Sequence, residues 1–395
     1  MQRTSILHVA ALPFPSSQGT QAALLAYVNA SARDAASRNE EVGLLTYAEG
    51  DGRALLEPNV VHRRSFAPIA NASLRSGPSL AKVAEDIILI RAIRGAHSPH
   101  IVAHHIEAGL ACIAARRPFT WVMHTALGPE LPLYAPTWPR LAPWLSHAGE
   151  ALDAFVARRA TRVLAVSPFL ATRASDRFQR EVDVLPIPWP IAQGATTEER
   201  VEARAQLGFE ARDVVLLYAG NLDHYQGLEV ALDALAIIVQ AASDIRWLIA
   251  TESDSSALRM QAASRGLSPH LVFTRLHGDL ARRRAHLAAD IALVPRRLEA
   301  GVSVKLLEAF AHALPTVAVR ASTGGFAMDE AACVVSPDAH EFARATLSLI
   351  ASPEARARLG AQGARYLRAH HTDAAMAWGL HPPDESRSFN HPIRQ

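Results

Sequence analysis

Lys305 and Glu308 are the residues whose types and spacing point most directly to chemistry. They lie within LEAGVSVKLLEAFAHALPTVAV at 298–319, a mostly apolar stretch whose pattern predicts a loop, a helix beginning near Ser303, and a strand. Side chains three positions apart on a helix share one face, so this lysine and glutamate are aimed together near the helix start. The pattern therefore places a cation and a carboxylate at the amino terminus of an apolar helix.

A helix start that follows a glycine-containing loop is suited to a phosphate, because its backbone N–H groups are free and its dipole end is positive. Lys305 would add a point charge, and Glu308 could accept hydrogen bonds from vicinal hydroxyls such as those of a ribose. The alternative is an ordinary surface ion pair, worth about 0.2–0.5 kcal/mol. The backbone amides that would face the phosphate belong to Gly301, Val302, Ser303 and Val304.

Histidines follow two other apolar runs. His105, with Glu107 close by, follows HIVAH, and His124 follows FTWVM. Because ligands in open α/β sheets bind at the carboxyl ends of the strands, these side chains should lie at the edge of a cleft. For each of them, and for His104, the alternative is a structural histidine satisfied by hydrogen bonds.

Apolar runs alternate with helical patterns almost from end to end, which is typical of parallel βα units. The strand candidates of the first half are SILHVAAL, VGLLTYA, VVHRR, HIVAHH, FTWVMH and RVLAVS. Those of the second half are DVVLLYAG, IRWLIAT, LVFTRL, DIALVP, PTVAVRA and ACVVS. This order predicts two Rossmann-like halves. Clustered prolines in VDVLPIPWPIAQGATTEERVEAR at 182–204 place the boundary between them near residue 190.

The composition of the chain narrows the class of protein. With 395 residues, 49% of them hydrophobic, the chain can form about two globular domains. A net charge of +2 is too small to indicate nucleic-acid binding. Cys112 and Cys333 form no CxxC, which argues against a disulfide framework or a cysteine zinc site and favours the cytoplasm.

Membrane contact is the point on which the composition leaves two interpretations. No run reaches the roughly 18 apolar residues that a membrane-spanning helix needs. AEDIILIRAIRGA at 84–96 is amphipathic with basic residues, so it is either a core helix with a solvated edge or a peripheral contact with the inner membrane surface.

The segment EAGVSVKLLEAFAHALPTVAV resembles the signature of the family-four retaining glycosyltransferases, which are GT-B enzymes that transfer sugars from activated donors. Their pattern has two glutamates separated by seven residues, followed by Ala-x-Ala-x-Gly-x-Pro-x-Val. Ala313 replaces the glycine, and Ala300 stands where the first glutamate is expected, one residue beyond Glu299. The residues that match are Glu308, Ala309, Ala311, Pro315 and Val317. The resemblance implies that Glu308 binds the donor ribose and leaves Glu299 as a candidate sugar contact.

LLYAGNLDHYQGLEVALDAL at 216–235 is similar to the strand, Gly-Arg-Leu loop and Lys-Gly helix that open the second domain of that family. There, the arginine and lysine neutralise the donor diphosphate. Here, Asn221 and Gln226 take their places after Gly220. Neutral amides can hydrogen-bond to phosphate at about half the strength of a charge-assisted bond. The residues that could replace the missing positive charges are Lys305, ranked first for its place on the helix, and then Arg296 and Arg297.

Two further segments extend the resemblance. LPFPSSQGTQAALLAYVNA resembles the family's glycine loop, so Gly19 would let the backbone approach a donor phosphate or acceptor, with Thr20 or Ser17 as the helix cap. LVFTRLHGDLARRRAHLAADIALVP resembles the segment that holds the nucleobase through backbone groups around Arg275 and Leu276.

The histidines acquire roles through the same resemblance. His124 matches the family's histidine that contacts the transferred sugar near the reacting carbon. His105 and Glu107 are second-rank candidates for acceptor binding or for orienting the loop. The acceptor side also carries LPLYAPTWPRLAPWLSHAG, which is either a sugar-stacking or lipid-facing wall or a packed loop.

The resemblance implies a fold of class α/β, with two Rossmann-like GT-B domains facing across an interdomain cleft. Residues 1–189 would form the acceptor-side domain, 190–375 the nucleotide-sugar donor domain, and 376–395 a polar tail. It implies a retaining glycosyltransferase of glycan, glycolipid or exopolysaccharide biosynthesis, with His124, Lys305 and Glu308 as its catalytic residues. The partners would be a nucleotide sugar and a glycan, lipid-linked or small-molecule acceptor.

No cofactor is expected, because the nucleotide sugar is a substrate. No metal is expected either, because an Asp-x-Asp motif at a strand end is absent from the sequence. Two alternatives stay open. A non-catalytic sugar-nucleotide-binding protein is favoured by Ala300 and by the missing Arg/Lys pair, and a GT-B-type sugar-nucleotide epimerase would share the same cleft.

Overall fold

The computed structural model of the protein describes residues 4–15, 19–47, 50, 54–65, 80–134 and 139–380. Its first seven strands form one sheet in the order β3-β2-β1-β4-β5-β6-β7, and every adjacent pair is parallel. The strands are β1 (Thr4–Ala10), β2 (Glu41–Thr46), β3 (Val60–Arg64), β4 (His100–His104), β5 (Thr120–Met123), β6 (Arg162–Ala165) and β7 (Asp183–Val184).

Helices cover both faces of this sheet, as the near-continuous apolar strands require. They are α1 (Gly19–Ala36), α2 (Leu80–Gly95), α3 (His105–Ala114), α4 (Leu127–Glu130), α5 (Ala142–Arg159) and α6 (Pro168–Phe178). Short 3₁₀ turns at Leu131–Tyr134 and Pro139–Leu141 lie between α4 and α5. The largest buried side chain of β5 is Trp121, which is 1% exposed.

The second half forms a six-stranded parallel sheet in the order β10-β9-β8-β11-β12-β13. Its strands are β8 (Val214–Ala219), β9 (Ile245–Ala250), β10 (Leu271–Thr274), β11 (Ile291–Val294), β12 (Thr316–Val319) and β13 (Cys333–Val335). Its helices are α7 (Thr197–Gln206), α8 (Leu228–Ala241), α9 (Ser256–Ser264), α10 (Gly278–Ala288), α11 (Val304–Ala311), α12 (Ala339–Ala351) and α13 (Pro353–His370). The 3₁₀ turns are His224–Gln226, Ser268–His270 and Arg320–Thr323.

Both sheets reverse their strand order once, between β1 and β4 in the first sheet and between β8 and β11 in the second. In open parallel sheets, the loops at such a switch point diverge and leave a crevice at the carboxyl ends of the strands. The loops after β4, β5, β8 and β11 carry the sequence-predicted histidines, amides and lysine, so the topology directs them to these crevices.

The segment between the two sheets is irregular. Residues 185–196 contain neither helix nor strand, and the predicted boundary near residue 190 falls within them. α7 then begins with a capping box, in which Thr196 and Glu199 satisfy each other's backbone N–H groups.

The last described helix, α14 (Asp373–Leu380), returns to the first half of the chain and packs on α1. Asp373 accepts a 2.6 Å hydrogen bond from Arg33, and Met376 is fully buried. Residues 376–380, which the prediction included in a polar tail, belong to this helix, and Met376 and Leu380 on it are buried. Residues 381–395 of that tail lie outside the described residues.

Candidate functional site

The helix α11 presents its amino terminus as the sequence predicts. Ser303 has extended backbone angles and is the N-cap residue, so the helix begins at Val304. Leu306, Leu307 and Phe310 are fully buried and hold the helix against its sheet. The apolar periodicity of the segment thus fixes which face is buried, and Lys305 remains on the side that faces the loop after β8.

Lys305 does not pair with Glu308, so the surface ion pair is not the arrangement that the structure shows. Its Nζ instead donates to Oε1 of Gln226 at 3.1 Å and lies 5.5 Å from the centre of the Tyr218 ring. Gly220 makes room for this side chain: a Cβ there would lie 2.2 Å from Cε of Lys305, and φ is +146°. Glycine is therefore required beside the lysine.

Asn221 and Gln226, which replace the cations of the related pattern, hold each other. Nε2 of Gln226 donates to Oδ1 of Asn221 at 2.6 Å, and Nδ2 of Asn221 donates to the Tyr225 hydroxyl at 3.1 Å. The Oε1 of Gln226 is thereby turned toward Lys305. The two amides thus orient the lysine, a function that the sequence does not reveal.

A second cation lies close to Lys305. Burial, with a further contribution from neighbouring Arg296, lowers the pKa of Lys305 to about 7. Nη1 of Arg296 donates to the carbonyl of Gly301 at 3.1 Å, while its Nε is buried without a partner among the described residues. Arg297 is exposed and contributes its backbone N–H to Tyr225. Arg296 is therefore the substitute cation that shares the site with Lys305.

Glu308 is buried and bound by a residue of α10. Nη1 of Arg282 donates to both carboxylate oxygens of Glu308 at 3.1 Å. Burial alone would raise the pKa of Glu308, but His286 and Arg282 outweigh it and lower that pKa. Glu308 is consequently a fixed anion on the floor of the second domain's crevice.

His124 ends a chain of buried histidines in the first domain. Its Nε2 lies 3.0 Å from Nδ1 of His104, and Nε2 of His104 lies 2.9 Å from Nδ1 of His8. The far nitrogen of His8 lies 2.9 Å from the Ser31 hydroxyl. Burial lowers the pKa of His8 to about 3 and those of His104 and His124 well below the usual value. All three imidazoles are therefore neutral at physiological pH.

His105 stacks on His124, with 4.2 Å between the ring centroids and 23° between the planes. Its φ of +67° lies in the left-handed region, which is unusual outside glycine and is concentrated at functional sites. Its Nε2 is buried without a hydrogen-bond partner among the described residues, and burial lowers its pKa to about 4. The carboxylate of Glu130, which accepts a 2.5 Å hydrogen bond from Thr125, partly opposes that shift.

Glu130 is a site residue that sequence reasoning missed. Its carboxylate acts on His105 of its own domain and also on Arg296 of the second domain, whose pKa burial lowers and Glu130 partly restores. The signal for it was present, because GPELPLY at 128–134 comes shortly after β5 and His124. Glu130 thus lies where the two domains meet.

The two domains make direct contact at the loop before α11. A Cβ at Gly301 would lie 2.8 Å from the His124 carbonyl oxygen and 2.7 Å from Cγ2 of Val166. Gly301 therefore allows the helix start and the histidine loop to touch. The structure therefore brings the loop 301–304 against the strand end that bears His124.

Other sequence-predicted residues lie elsewhere. Glu107 is exposed on α3, and Glu299 is exposed and lines a cavity of about 250 Å³ with Phe169 and Arg320. Ala300, at the position of the related pattern's first glutamate, is 3% exposed.

The remaining candidates contribute mainly backbone. Arg275 is exposed and Leu276 is buried, both just after β10 at the carboxyl edge of the sheet. Gly19 is the first residue of α1, and Ser17 lies outside the described residues.

The aromatic acceptor-side segment is partly helical. Trp144 on α5 is 77% exposed, while the stretch 135–138 lies outside the described residues. Between α5 and α6 lies a cavity of about 740 Å³, with Phe169 and Phe178 in its walls. At its base, Asp153 accepts a 2.8 Å hydrogen bond from the Leu127 N–H and so anchors α4.

Within the described ranges, no group of three or more histidine, cysteine, aspartate or glutamate side chains is placed to hold a metal ion. Of the helices in the same ranges, none combines the length and apolar character needed to span a bilayer.

Comparison with known proteins agrees with this geometry. Residues 213–352 match the family described as glycosyl transferases group 1. The D-inositol 3-phosphate glycosyltransferase of Segniliparus rotundus is 27% identical over 175 residues, which are 42% of this chain and 38% of that protein. The enzyme of the same name from Rhodococcus opacus is 26% identical over 179 residues, covering 42% of this chain and 40% of its own length. The chain thus spans about two fifths of the length of these curated relatives.

Solved structures resemble the whole chain. Anabaena HepE in complex with UDP-glucose superposes with a TM-score of 0.73 at 17% identity, covering 96% of this chain and 98% of that one. Sucrose-phosphate synthase of Thermosynechococcus elongatus gives a TM-score of 0.73 at 18% identity, covering 96% and 97%. WaaG, a glycosyltransferase involved in lipopolysaccharide biosynthesis, gives 0.68 at 13% identity, covering 95% and 98%. The predicted α/β fold with two Rossmann-like GT-B domains is confirmed.

Proposed function

We propose that the protein is a retaining glycosyltransferase that moves a sugar from a nucleotide-sugar donor to a glycan, lipid-linked or small-molecule acceptor. The observation that carries the proposal is the contact between the loop before α11 and the loop after β5. Because a Cβ at Gly301 would lie 2.8 Å from the His124 carbonyl, a phosphate-binding helix start adjoins the histidine-bearing strand end. A donor held by the first would present its sugar to the second.

In this proposal, the donor occupies the crevice of the second domain. Its diphosphate meets Lys305, Arg296 and the amides of 301–304, its ribose meets Glu308, and its base meets the backbone around Arg275 and Leu276. HepE has been solved with UDP-glucose, which supports a UDP-sugar as the first donor to test. The match of residues 213–352 to group 1 glycosyl transferases supports the assignment of this half to the donor.

The proposed chemistry breaks the bond between the anomeric carbon and the diphosphate oxygen. Negative charge grows on the leaving diphosphate, so the groups that help most are cations and amides already in place around it. The acceptor oxygen forms the new bond on the same face of the sugar, and its proton passes to the departing phosphate. No enzyme nucleophile, cofactor or metal takes part in the proposed step.

His124 and its stacking partner His105 lie on the sugar side of the site in this proposal. Both are neutral, since burial lowers the pKa of each. They would orient the sugar by hydrogen bonds rather than supply charge. Glu130, whose charge acts on both His105 and Arg296, would lie where the acceptor enters.

The test is transfer from a panel of nucleotide sugars to glycan, lipid-linked and small-molecule acceptors, with the anomeric configuration of the product read by NMR. We expect a product with the donor's configuration, and a loss of turnover in His124→Ala and in Glu308→Ala. The exposed His340 on α12, which lies outside every proposed site, provides His340→Ala as a matched control. Turnover that survives both site substitutions would contradict the proposal.

One observation favours a non-catalytic sugar-nucleotide-binding protein instead. Ala300 is buried and carries no carboxylate where the related pattern has one. Tight donor binding without transfer or hydrolysis on the whole panel would select that function. Conversion of the donor to its epimer without acceptor would select an epimerase.

A further inference from the structure

Two imidazoles and a hydroxyl form one continuous buried chain behind the sugar-side histidine, His124. His8 on β1 and His104 on β4 are fully buried, and Ser31 on α1 is 2% exposed. Their separations from each other and from His124 are 2.9 to 3.0 Å. None of His8, His104 and Ser31 has a role in the proposed chemistry, yet each makes hydrogen bonds within this series of side chains.

Neutral imidazoles impose a direction on such a chain. Each neutral ring has one N–H, which donates, and one nitrogen lone pair, which accepts. A ring that donates to its neighbour on one side must therefore accept from its neighbour on the other side, so all the hydrogen bonds run in the same direction. Burial keeps the pKa values of His8, His104 and His124 low, so a doubly protonated ring does not interrupt the sequence. The chain therefore has two arrangements, one the reverse of the other.

The far end of the chain selects between these arrangements. The Ser31 hydroxyl lies 3.8 Å from Sδ of Met376, within hydrogen-bonding distance of that sulfur. A thioether sulfur accepts hydrogen bonds but cannot donate them. With the serine proton directed to Met376, Ser31 Oγ is left to accept from Nε2–H of His8. In the reverse arrangement, the serine proton points at His8 and Met376 has no hydrogen-bond donor.

Following the selected direction leads to His124. His8 Nδ1 accepts from Nε2–H of His104, and His104 Nδ1 accepts from Nε2–H of His124. Tyr27 does not compete for these nitrogens, because its hydroxyl donates to the Leu185 carbonyl at 2.7 Å and only its ring meets the histidines.

We propose that Ser31, His8 and His104 are positioning residues that hold His124 in its Nε2–H tautomer, with α14 setting the direction through Met376. The free lone pair of His124 is then on Nδ1. His124 accordingly accepts a hydrogen bond from a sugar hydroxyl and does not donate one. The hydrogen bond to the sugar rests on the proposed transferase function, whereas the tautomer of His124 does not.

The first experiment measures the tautomer in the ligand-free full chain. Histidine is labelled with ¹⁵N, the His124 signals are identified by their loss in His124→Gln, and the two ring nitrogens are distinguished by long-range ¹H–¹⁵N correlation at pH 7. We expect Nδ1 of His124 to have the shift of an unprotonated nitrogen. A protonated Nδ1 on His124 would overturn the proposal.

Two variants then test the chain. His8→Leu removes the acceptor for His104, whereas His8→Asn can supply an amide oxygen in its place. We expect mixed tautomers of His124 in the leucine variant and the wild-type tautomer in the asparagine variant. Met376→Leu keeps the packing volume and removes the sulfur, so it should also give a mixture. An unchanged His124 tautomer in both His8→Leu and Met376→Leu would refute the role of the chain.

Activity separates positioning from mere stability. The activity probe is a UDP-sugar. His8→Leu and Met376→Leu should lower kcat by about tenfold, which corresponds to the loss of one correctly oriented hydrogen bond to the sugar. Both variants should leave the Kd of UDP unchanged. If His8→Leu does not fold, the His124 tautomer in the wild type and in Met376→Leu still tests the proposal. Expected tautomers without sugar transfer would refute the transferase function alone, and transfer with the opposite tautomer would refute the chain alone.

Discussion

The ammonium of Lys305 donates a 3.1 Å hydrogen bond to Oε1 of Gln226, which ties the start of α11 to the loop after β8. The glutamine is itself held by Asn221. Two neutral amides therefore occupy the positions of a cation pair and position one lysine. In the proposed donor site, the positive charge for the diphosphate would come from the helix start of one βα unit rather than from the loop of another.

Donor binding should depend on pH through Lys305. Burial, and next to it Arg296, lowers the pKa of Lys305 to about 7, so the ligand-free amine loses its proton as the pH rises above that value. A bound diphosphate favours the charged amine, so the Kd of UDP should rise about tenfold per pH unit above that pKa. Calorimetry in buffers of different ionisation enthalpy should show proton uptake on binding at pH 8.

The control for this titration is Lys305→Met, which should bind UDP weakly with the pH dependence removed. Arg265→Met, on a surface arginine paired with Asp233, should retain both affinity and pH dependence. The same pH slope in Lys305→Met would assign the titration to another group.

Gln226→Glu should weaken the binding of UDP without unfolding the protein. A carboxylate 3.1 Å from Nζ would raise the pKa of Lys305 by stabilising its charged form. The same negative charge would repel the diphosphate, so UDP affinity should fall at least about tenfold although the fold is kept. Calorimetry measures the Kd of UDP, and thermal unfolding of the same variant measures whether the fold is kept. Tighter UDP binding in this variant would show that the diphosphate lies away from Gln226.

Glu308→Gln tests the ribose contact. The substitution keeps the shape of the side chain but removes the anion bound by Arg282, so we expect a stability loss of about 1–3 kcal/mol. Wild type should bind 2′-deoxy-UDP about tenfold more weakly than UDP, and the variant should not distinguish the two nucleotides. The measurement is a double-mutant cycle of four Kd values. A full preference for UDP in the variant would place the ribose elsewhere.

The buried histidines should make the protein acid-labile. Burial lowers the pKa of His8 to about 3 and that of His105 to about 4, below the unfolded value of 6.5. As the pH falls through 6.5, the unfolded chain takes up protons first. The free energy of unfolding should therefore drop by about 1.4 kcal/mol per pH unit for each such histidine, down to its folded pKa.

Urea unfolding at pH 7, 6 and 5 measures this slope. His8→Asn should remove about one histidine's share of it. A slope that persists in full in His8→Asn would show that other groups govern acid unfolding.

Gly220→Ala should displace Lys305. The added Cβ would lie 2.2 Å from Cε of the lysine, and the backbone at φ +146° is one that L residues rarely adopt. We expect a stability loss of about 1–3 kcal/mol and weaker UDP binding. Gly194→Ala is the matched control, because a Cβ there meets no atom within 4 Å. Unchanged UDP affinity in Gly220→Ala would show that the position of Lys305 does not matter to the donor.

The sequence by itself determined the parts of this protein that depend on neighbouring residues. Apolar runs and their periods predict the strands, and the helix start at Ser303 is where the pattern places it, with Lys305 on its first turn. These features are local because backbone hydrogen bonding and the burial of one face act over a few residues. The two Rossmann-like halves followed from the same alternation of strands and helices, and the GT-B assignment followed from the resemblance of the signature segment.

Only the tertiary structure decided which side chains meet. His8 and His104 are 96 positions apart, and Glu308 is bound by Arg282 from another helix. The return of α14 to α1 brings Met376 to Ser31, 345 positions away in the sequence. Such contacts depend on strand order and on how the sheets pack. The period of a segment shows which face is buried, but not which residue covers it.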